Sequence, residues 1–202
     1  MILLGALLPA GVSAQLMDEV FKAMPDTLLP YLNKEKRTEL VDFYHIGVKA
    51  ETKNKLDENT VLDTLTTGMA SLRLSESSTL QLLMLPRQGG DTIVCAVKTF
   101  FGEAPESTVA FYTRDWQGVT ADSVMSEIDA RSLVARPDTM TVERYEALLK
   151  YIDPWMMEAR VSEADLSLTW TLSLPMLSES EKKDLKDIIL QRKLKWNGKR
   201  FN

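Results

Sequence analysis

His45 is the chain's one histidine, and that alone narrows the chemistry. Sites that need two imidazoles, including most zinc hydrolases, are ruled out. A Ser-His-Asp triad would have to use His45 as its base, yet no Gly-x-Ser-x-Gly elbow supplies a nucleophile. His45 lies in a helical stretch beside Tyr44, next to an apolar face, and reads as structural. Cys95 is also single and sits in the apolar run Ile93-Val94-Cys95-Ala96-Val97. There a thiol behaves as a small core hydrophobe rather than a nucleophile.

Carboxylates are plentiful, and a glycosidase-type site needs two of them held across a cleft. Glu103 and Glu106 flank Pro105 in a turn and Asp115 ends the next strand, so these acids read as solvated caps. Gln88-Gly89-Gly90-Asp91 is too short for a phosphate cradle and opens no helix, so it reads as a hairpin turn. No stretch carries the alternating acids of a calcium loop. The sequence therefore assigns no catalytic residue, no metal ligand and no cofactor. Of the four tryptophans, Trp155 and Trp170 fall on the apolar phase of strands and read as core. Trp116 follows a strand end and is the best candidate for an exposed aromatic. With Arg114 and Asp115 it forms the one expected binding patch.

These residues must be positioned by elements that the patterning outlines. A short helix over 18–24 stops at Pro25. Asn33 is a good N-cap, and Leu40, Phe43, Tyr44, Gly47 and Val48 then fall near one helical face. From residue 70 the period becomes two, and 61–66 adds a strand at the start. Strands are expected over 61–66, 70–74, 79–85, 92–101 and 108–114, joined by short turns into an antiparallel meander. The fourth of these is mostly apolar and reads as central. Val109 and Phe111 lie on one side of the fifth and Tyr112 on the other. Residues 115–140 are the least patterned, with a short helix expected near 123–128. Thr141 caps a helix running to about Tyr151, and Asp153-Pro154 breaks the chain. Alternation resumes over 155–161 and, most cleanly, over 166–174, where one face is apolar and the other hydroxylated. Ser178 opens a last helix to about Leu190. The basic residues from Lys182 to Arg200 read as a solvated helix face, and Asn197-Gly198 marks a turn. The start of the first long helix (Leu29-Pro30-Tyr31-Leu32-Asn33) is echoed by Leu174-Pro175-Met176-Leu177-Ser178, which reads as convergence on a good helix start rather than duplication.

The expected fold class is α+β: a largely antiparallel meander sheet packed against helices from both ends of the chain. Residues 1–14 read as a signal peptide, an apolar run over 2–8 followed by small residues, with cleavage before Gln15. The run is too short to span a membrane, so no transmembrane segment is expected in the mature chain. No Cys follows the expected cut, which disfavours a lipoprotein. Residues 15–202 form one domain, with a split within 116–140 as the alternative. The net charge of −5 argues against general nucleic-acid binding.

Three segments carry a resemblance: Phe21-Lys22-Ala23-Met24-Pro25-Asp26; Ser107-Thr108-Val109-Ala110-Phe111-Tyr112-Thr113 with Asp115-Trp116; and 177–201 with Lys195-Trp196-Asn197-Gly198-Lys199-Arg200-Phe201. They resemble an uncharacterised family of exported Bacteroidales proteins, domain-of-unknown-function family 3256. The resemblance implies a Gram-negative periplasmic or secreted setting and carries no catalytic motif. The leading expectation is a non-catalytic exported module that binds a protein or glycan partner of the cell envelope. The alternative is a carboxylate-based hydrolase acting on envelope polymers.

Overall fold

The structure, a computed structural model, describes residues 16–152, 155–174 and 178–202. The expected signal peptide with Gln15, the break at Asp153-Pro154, and Pro175-Met176-Leu177 of the internal echo lie outside the described residues. Two helices come first among the described residues, α1 (Leu16–Ala23) and α2 (Lys34–His45). A seven-stranded antiparallel meander follows in strict chain order. Its strands are β1 (Glu51–Lys53), β2 (Asn59–Leu65), β3 (Met69–Ser75), β4 (Ser78–Pro86), β5 (Thr92–Phe101), β6 (Pro105–Thr113) and β7 (Gly118–Val119). After α3 (Val142–Leu149), the strands β8 (Met156–Ser162), β9 (Ser167–Ser173) and β10 (Gln191–Lys195) form a second antiparallel sheet in the order β10-β9-β8, with α4 (Glu179–Leu185) between β9 and β10.

The central strands of the large sheet are apolar on both faces. Leu80, Leu82 and Met84 of β4, with Val94 and Ala96 of β5, join one core with α1 and α2. Leu83 and Leu85, with Ile93, Cys95 and Val97, join a second core against the smaller sheet. The ladder register aligns the sets: Leu83 pairs Cys95 and Cys95 pairs Phe111, while Met84 pairs Val94 and Val94 pairs Tyr112. A half-solvated strand would alternate apolar with polar, so the near-continuous runs 82–85 and 93–97 already mark a sheet covered on both sides. The side assignments of Val109, Phe111 and Tyr112 hold.

The helices α1 and α2 cover one face, and Leu148 of α3 and Leu185 of α4 join the core on the other. Asn33 caps α2, its side-chain oxygen accepting the Lys36 N–H at 3.1 Å. At the other side of the molecule the C-terminal third covers its face chiefly with strands, and the last helix is shorter than the residue pattern implies, ending at Leu185. Residues 191–195, read from sequence as part of a basic helical face, form β10 instead. Only Leu194 of the five is buried, and Arg192 on the same phase is exposed, so the strand shows no apolar alternation among its basic neighbours. The helix expected over 123–128 is absent. Short 3₁₀ turns at Ala121–Ser123 and Ala130–Leu133 flank it, and Val124, Met125, Ile128 and Leu133 are buried under the second core. Strands β1 and β7, too short to show a period, were not visible in the sequence. As sheet edges their shortness limits pairing with other chains.

Polar side chains join the layers. β8 lays its free backbone edge on the large sheet: the Ala159 N–H donates to Ser107 Oγ at 2.9 Å and the Val161 N–H to Gln81 Oε1 at 3.3 Å. Glu163, in the β8–β9 turn, accepts the Thr66 hydroxyl at 2.8 Å and the Gly68 N–H at 3.1 Å. A Cβ on Gly68 would lie 2.7 Å from the Glu163 carboxylate, so a larger residue here would push that carboxylate off its turn. The C-terminal turn docks in the same way, with the Trp196 indole donating to the Pro86 carbonyl at 2.6 Å and the Gln88 N–H to the Gly198 carbonyl at 2.9 Å.

Because Leu82 and Leu83 are neighbours buried in different cores, each truncation should damage the fold from its own side. Leu82→Ala and Leu83→Ala should each cost about 2–5 kcal/mol in urea unfolding. A value under about 1 kcal/mol for either would mean that its face is not covered as described.

Candidate functional site

The turn from β6 to β7 holds the three residues that the sequence marks as a binding patch, and the fold separates them. Trp116 is in the left-handed region, φ 62°, an uncommon conformation for a bulky residue. Its N–H bonds the Thr113 carbonyl at 3.0 Å, and the Thr113 N–H bonds Gln117 O at 2.8 Å. This geometry turns the indole inward. Trp116 is 6 % exposed, its ring 5.4 Å from that of Tyr112. Its Nε1–H donates to the Val20 carbonyl at 2.9 Å, satisfying one of the orphan carbonyls at the end of α1. The expectation of an exposed Trp116 is therefore corrected: an aromatic after a strand end can return to the core when a left-handed turn aims it there. Arg114 and Asp115 point outward and rim a shallow depression with Glu19 and Asp91.

The other chemically capable groups are dispersed. His45 Nε2 lies 2.5 Å from Asp18 Oδ2, and Asp18 is 6 % exposed. The pair ties the last turn of α2 to the first turn of α1, where a carboxylate also suits the helix dipole. Burial of Cys95 pushes its thiol far above the ordinary range, so thiolate chemistry at neutral pH is disfavoured. Glu103 and Glu106 stand at the β5–β6 turn and Asp115 at the β6–β7 turn, opposite ends of β6. From Glu106 to Thr113 the strand alone spans roughly 24 Å, so these acids do not share a cleft. Among the described residues no group of three or more His, Cys, Asp or Glu is placed to hold a metal ion, and no helix is long and apolar enough to cross a membrane.

What the fold does assemble is an apolar pole. The β1–β2 and β3–β4 turns, the end of β5 and the loop before α2 meet at one end of the large sheet. They enclose a cavity of about 180 Å³ between Tyr31, Leu56, Leu74 and Phe100. Tyr31, Leu56 and Phe100 are 43 %, 53 % and 47 % exposed, and the neighbouring Phe101 is 39 % exposed. The turns that present them are rigidly tied. Asn54 donates from Nδ2 to the Leu74 carbonyl at 2.9 Å and accepts the Leu56 N–H at 2.8 Å. The Thr60 hydroxyl also bonds the Leu74 carbonyl, at 2.8 Å, and Ser75 and Ser78 share a hydrogen bond of 2.8 Å. The Lys55 N–H reaches the Tyr31 carbonyl at 2.9 Å, fastening the loop to the hairpin. Sequence reading missed this site because its residues come from four separate segments. The available signal was Leu56 standing apolar within a polar break.

A second surface, the outer face of the small sheet, carries the hydroxyl row expected over 166–174, with Thr169 and Thr171 beside Arg160 and Lys193. Next to it the Lys193 ammonium, 2.7 Å from Asp165 Oδ2, and the Ser167 hydroxyl, 2.8 Å from Oδ1, hold the Asp165 carboxyl down at about 2.

The family model described as "Protein of unknown function (DUF3256)" matches residues 10–201. No curated protein matches the chain. Among solved structures, the chain is similar to a domain of an uncharacterized protein from Porphyromonas gingivalis W83. The two share 20 % identity and a TM-score of 0.75 over 93 % of this chain and 98 % of that one. At that identity the likeness establishes a shared fold.

Two outcomes follow from these geometries. Trp116→Phe keeps the ring but leaves the Val20 carbonyl without its donor, so it should cost about 1–3 kcal/mol and speed hydrogen exchange selectively in α1. Unchanged exchange there would remove the indole's role as a helix clasp. The folded pKa of Asp165 lies below the ordinary carboxylate value near 4. Its ion pair therefore stabilises the fold above about pH 4, and that contribution is lost as pH falls from 4 toward 2. Asp165→Asn should lower the melting temperature at pH 7, and the gap from the native chain should close near pH 2.

Proposed function

We propose that this chain, which belongs to the DUF3256 family, is a non-catalytic exported module that binds a protein partner through the apolar pole of its large sheet. The carrying observation is the exposure of Tyr31, Leu56 and Phe100 around one enclosed cavity. Scattered exposed apolar residues are ordinary, whereas a contiguous group on a rigid rim is typical of an interaction site. The cavity of about 180 Å³ is smaller than pockets that enclose whole small-molecule ligands. Its size suits one large side chain, the anchor-in-pocket arrangement of protein interfaces. A protein is favoured over a glycan because the aromatic expected to serve as a sugar platform, Trp116, is turned into the core. The hydrolase reading loses support from its own residues, since Glu103 and Glu106 stand at the opposite end of β6 from Asp115. Export to the periplasm or beyond rests on the apolar run 2–8 and the small residues that follow it.

Photo-crosslinking residues placed at 56 and 100 should yield a discrete adduct in the native cell, in a periplasmic or secreted fraction. The same probe at Thr169, on the far sheet, should yield none. Adducts of equal strength at all three positions, or at none, would sink the docking reading. A cytoplasmic location would sink the export reading.

A further inference from the structure

The pole has chemical asymmetry as well as shape. Among the residues lining the apolar cavity, Glu58 alone is charged. Glu58, Ser75 and Ser77 also line a second depression, on the other face of β1–β3, which opens directly across the turn tips. In that depression Lys49 is engaged by Glu51, and Arg73 by Asp63 at 3.5 Å. The third lining cation, Lys53, shares the depression with Asp57, Glu58 and Glu76. One of these carboxylates is tied to the neighbouring turn. Glu58 accepts the Glu76 N–H at 3.3 Å, bridging the two turns, and Asp57 sits at the hairpin tip with φ 61°. An apolar cavity therefore meets a net-negative ledge along one shared rim.

We propose that the pole takes an extended segment of a partner protein. A large apolar residue of that segment seats between Tyr31, Leu56 and Phe100, and an adjacent Lys or Arg crosses the rim to Glu58 and Glu76. This rests on the reading of the pole as a protein-docking site and adds the partner's chemistry. Charge complementarity selects the flanking residue, because like charge against the ledge would be repelled and a cation attracted. The rim lies in solvent, so its contribution is modest and salt-sensitive, while the anchor supplies most of the affinity.

Three short Gly/Ser peptides test it, with central Lys-Phe-Lys, Lys-Ala-Lys or Glu-Phe-Glu, each titrated into the full chain and followed by amide shifts in ¹H–¹⁵N spectra. Lys-Phe-Lys should perturb the amides of Leu56, Ser77 and Phe100, and should bind about tenfold more tightly than Lys-Ala-Lys. It should lose about fivefold on the double change Glu58→Gln with Glu76→Gln, and weaken with added salt. Equal binding of Lys-Ala-Lys would overturn the anchor. Equal binding of Glu-Phe-Glu, or indifference to the glutamine changes, would overturn the cationic partner while leaving the pole as a docking site. Shifts absent from the pole with all three peptides would overturn the proposal outright, and the crosslinks at 56 and 100 would then judge the docking reading separately.

Discussion

The large sheet is apolar on both faces along its two central strands, and most of the remaining structure answers that constraint. Leu82 with Ala96 and Leu83 with Cys95 are ladder partners whose side chains leave in opposite directions. Burial of a single leucine contributes roughly 1.5–3 kcal/mol, so neither face can stay in water. The N-terminal helices take one side. The C-terminal third, arriving after a crossing over the sheet edge, takes the other with a second sheet.

Covering two faces with separate elements creates joints, and each joint is closed by a polar group that would be costly to leave unpaired. Arg37, 1 % exposed, is the clearest case. From α2 its guanidinium gathers the loop between the helices, bonding Asp26 at 2.9 Å and the carbonyls of Leu32 and Met24. Its Nε finds no partner among the described residues. A buried guanidinium gains little net stability over a well-packed apolar replacement. What it does here is satisfy two loop carbonyls, those of Met24 and Leu32, and tie Asp26 to α2. The Asp18–His45 pair, the Trp116 indole on Val20, Glu163 on Thr66 and Gly68, and Ser107 on the edge of β8 do the same elsewhere. His45 and Trp116, two of the residues that looked capable of chemistry, are employed in these joints.

The apolar pole is a by-product of the same layering. The helices cover the sheet over β2 to β4, and the second sheet covers the opposite face. At the end where the β1–β2 and β3–β4 turns meet, neither layer reaches. Phe100 extends past the covered part of β5, and Leu56 rides on a turn fixed by Asn54. A rigid, partly uncovered apolar end is a costly feature unless something covers it, and the docking role proposed above rests on that.

Periodicity made much of the molecule legible. The meander from β2 to β6, the two-sided burial of β5, the cap at Asn33 and the inward phase of β9 all follow from local patterns, because side-chain direction in a strand or helix is set by backbone repeat. Short elements escaped. β1 and β7 have too few residues to show a period, and β10 hides its single inward leucine among basic neighbours. The sequence by itself determined the fold class, the central strand and the lack of a two-histidine or thiolate site. Tertiary structure alone decided that Trp116 faces inward, because a left-handed turn of backbone reverses its direction. It alone also brought Tyr31, Leu56, Leu74 and Phe100 around one cavity. Contacts between residues far apart in the chain depend on how the sheet layers meet, and no local repeat encodes that.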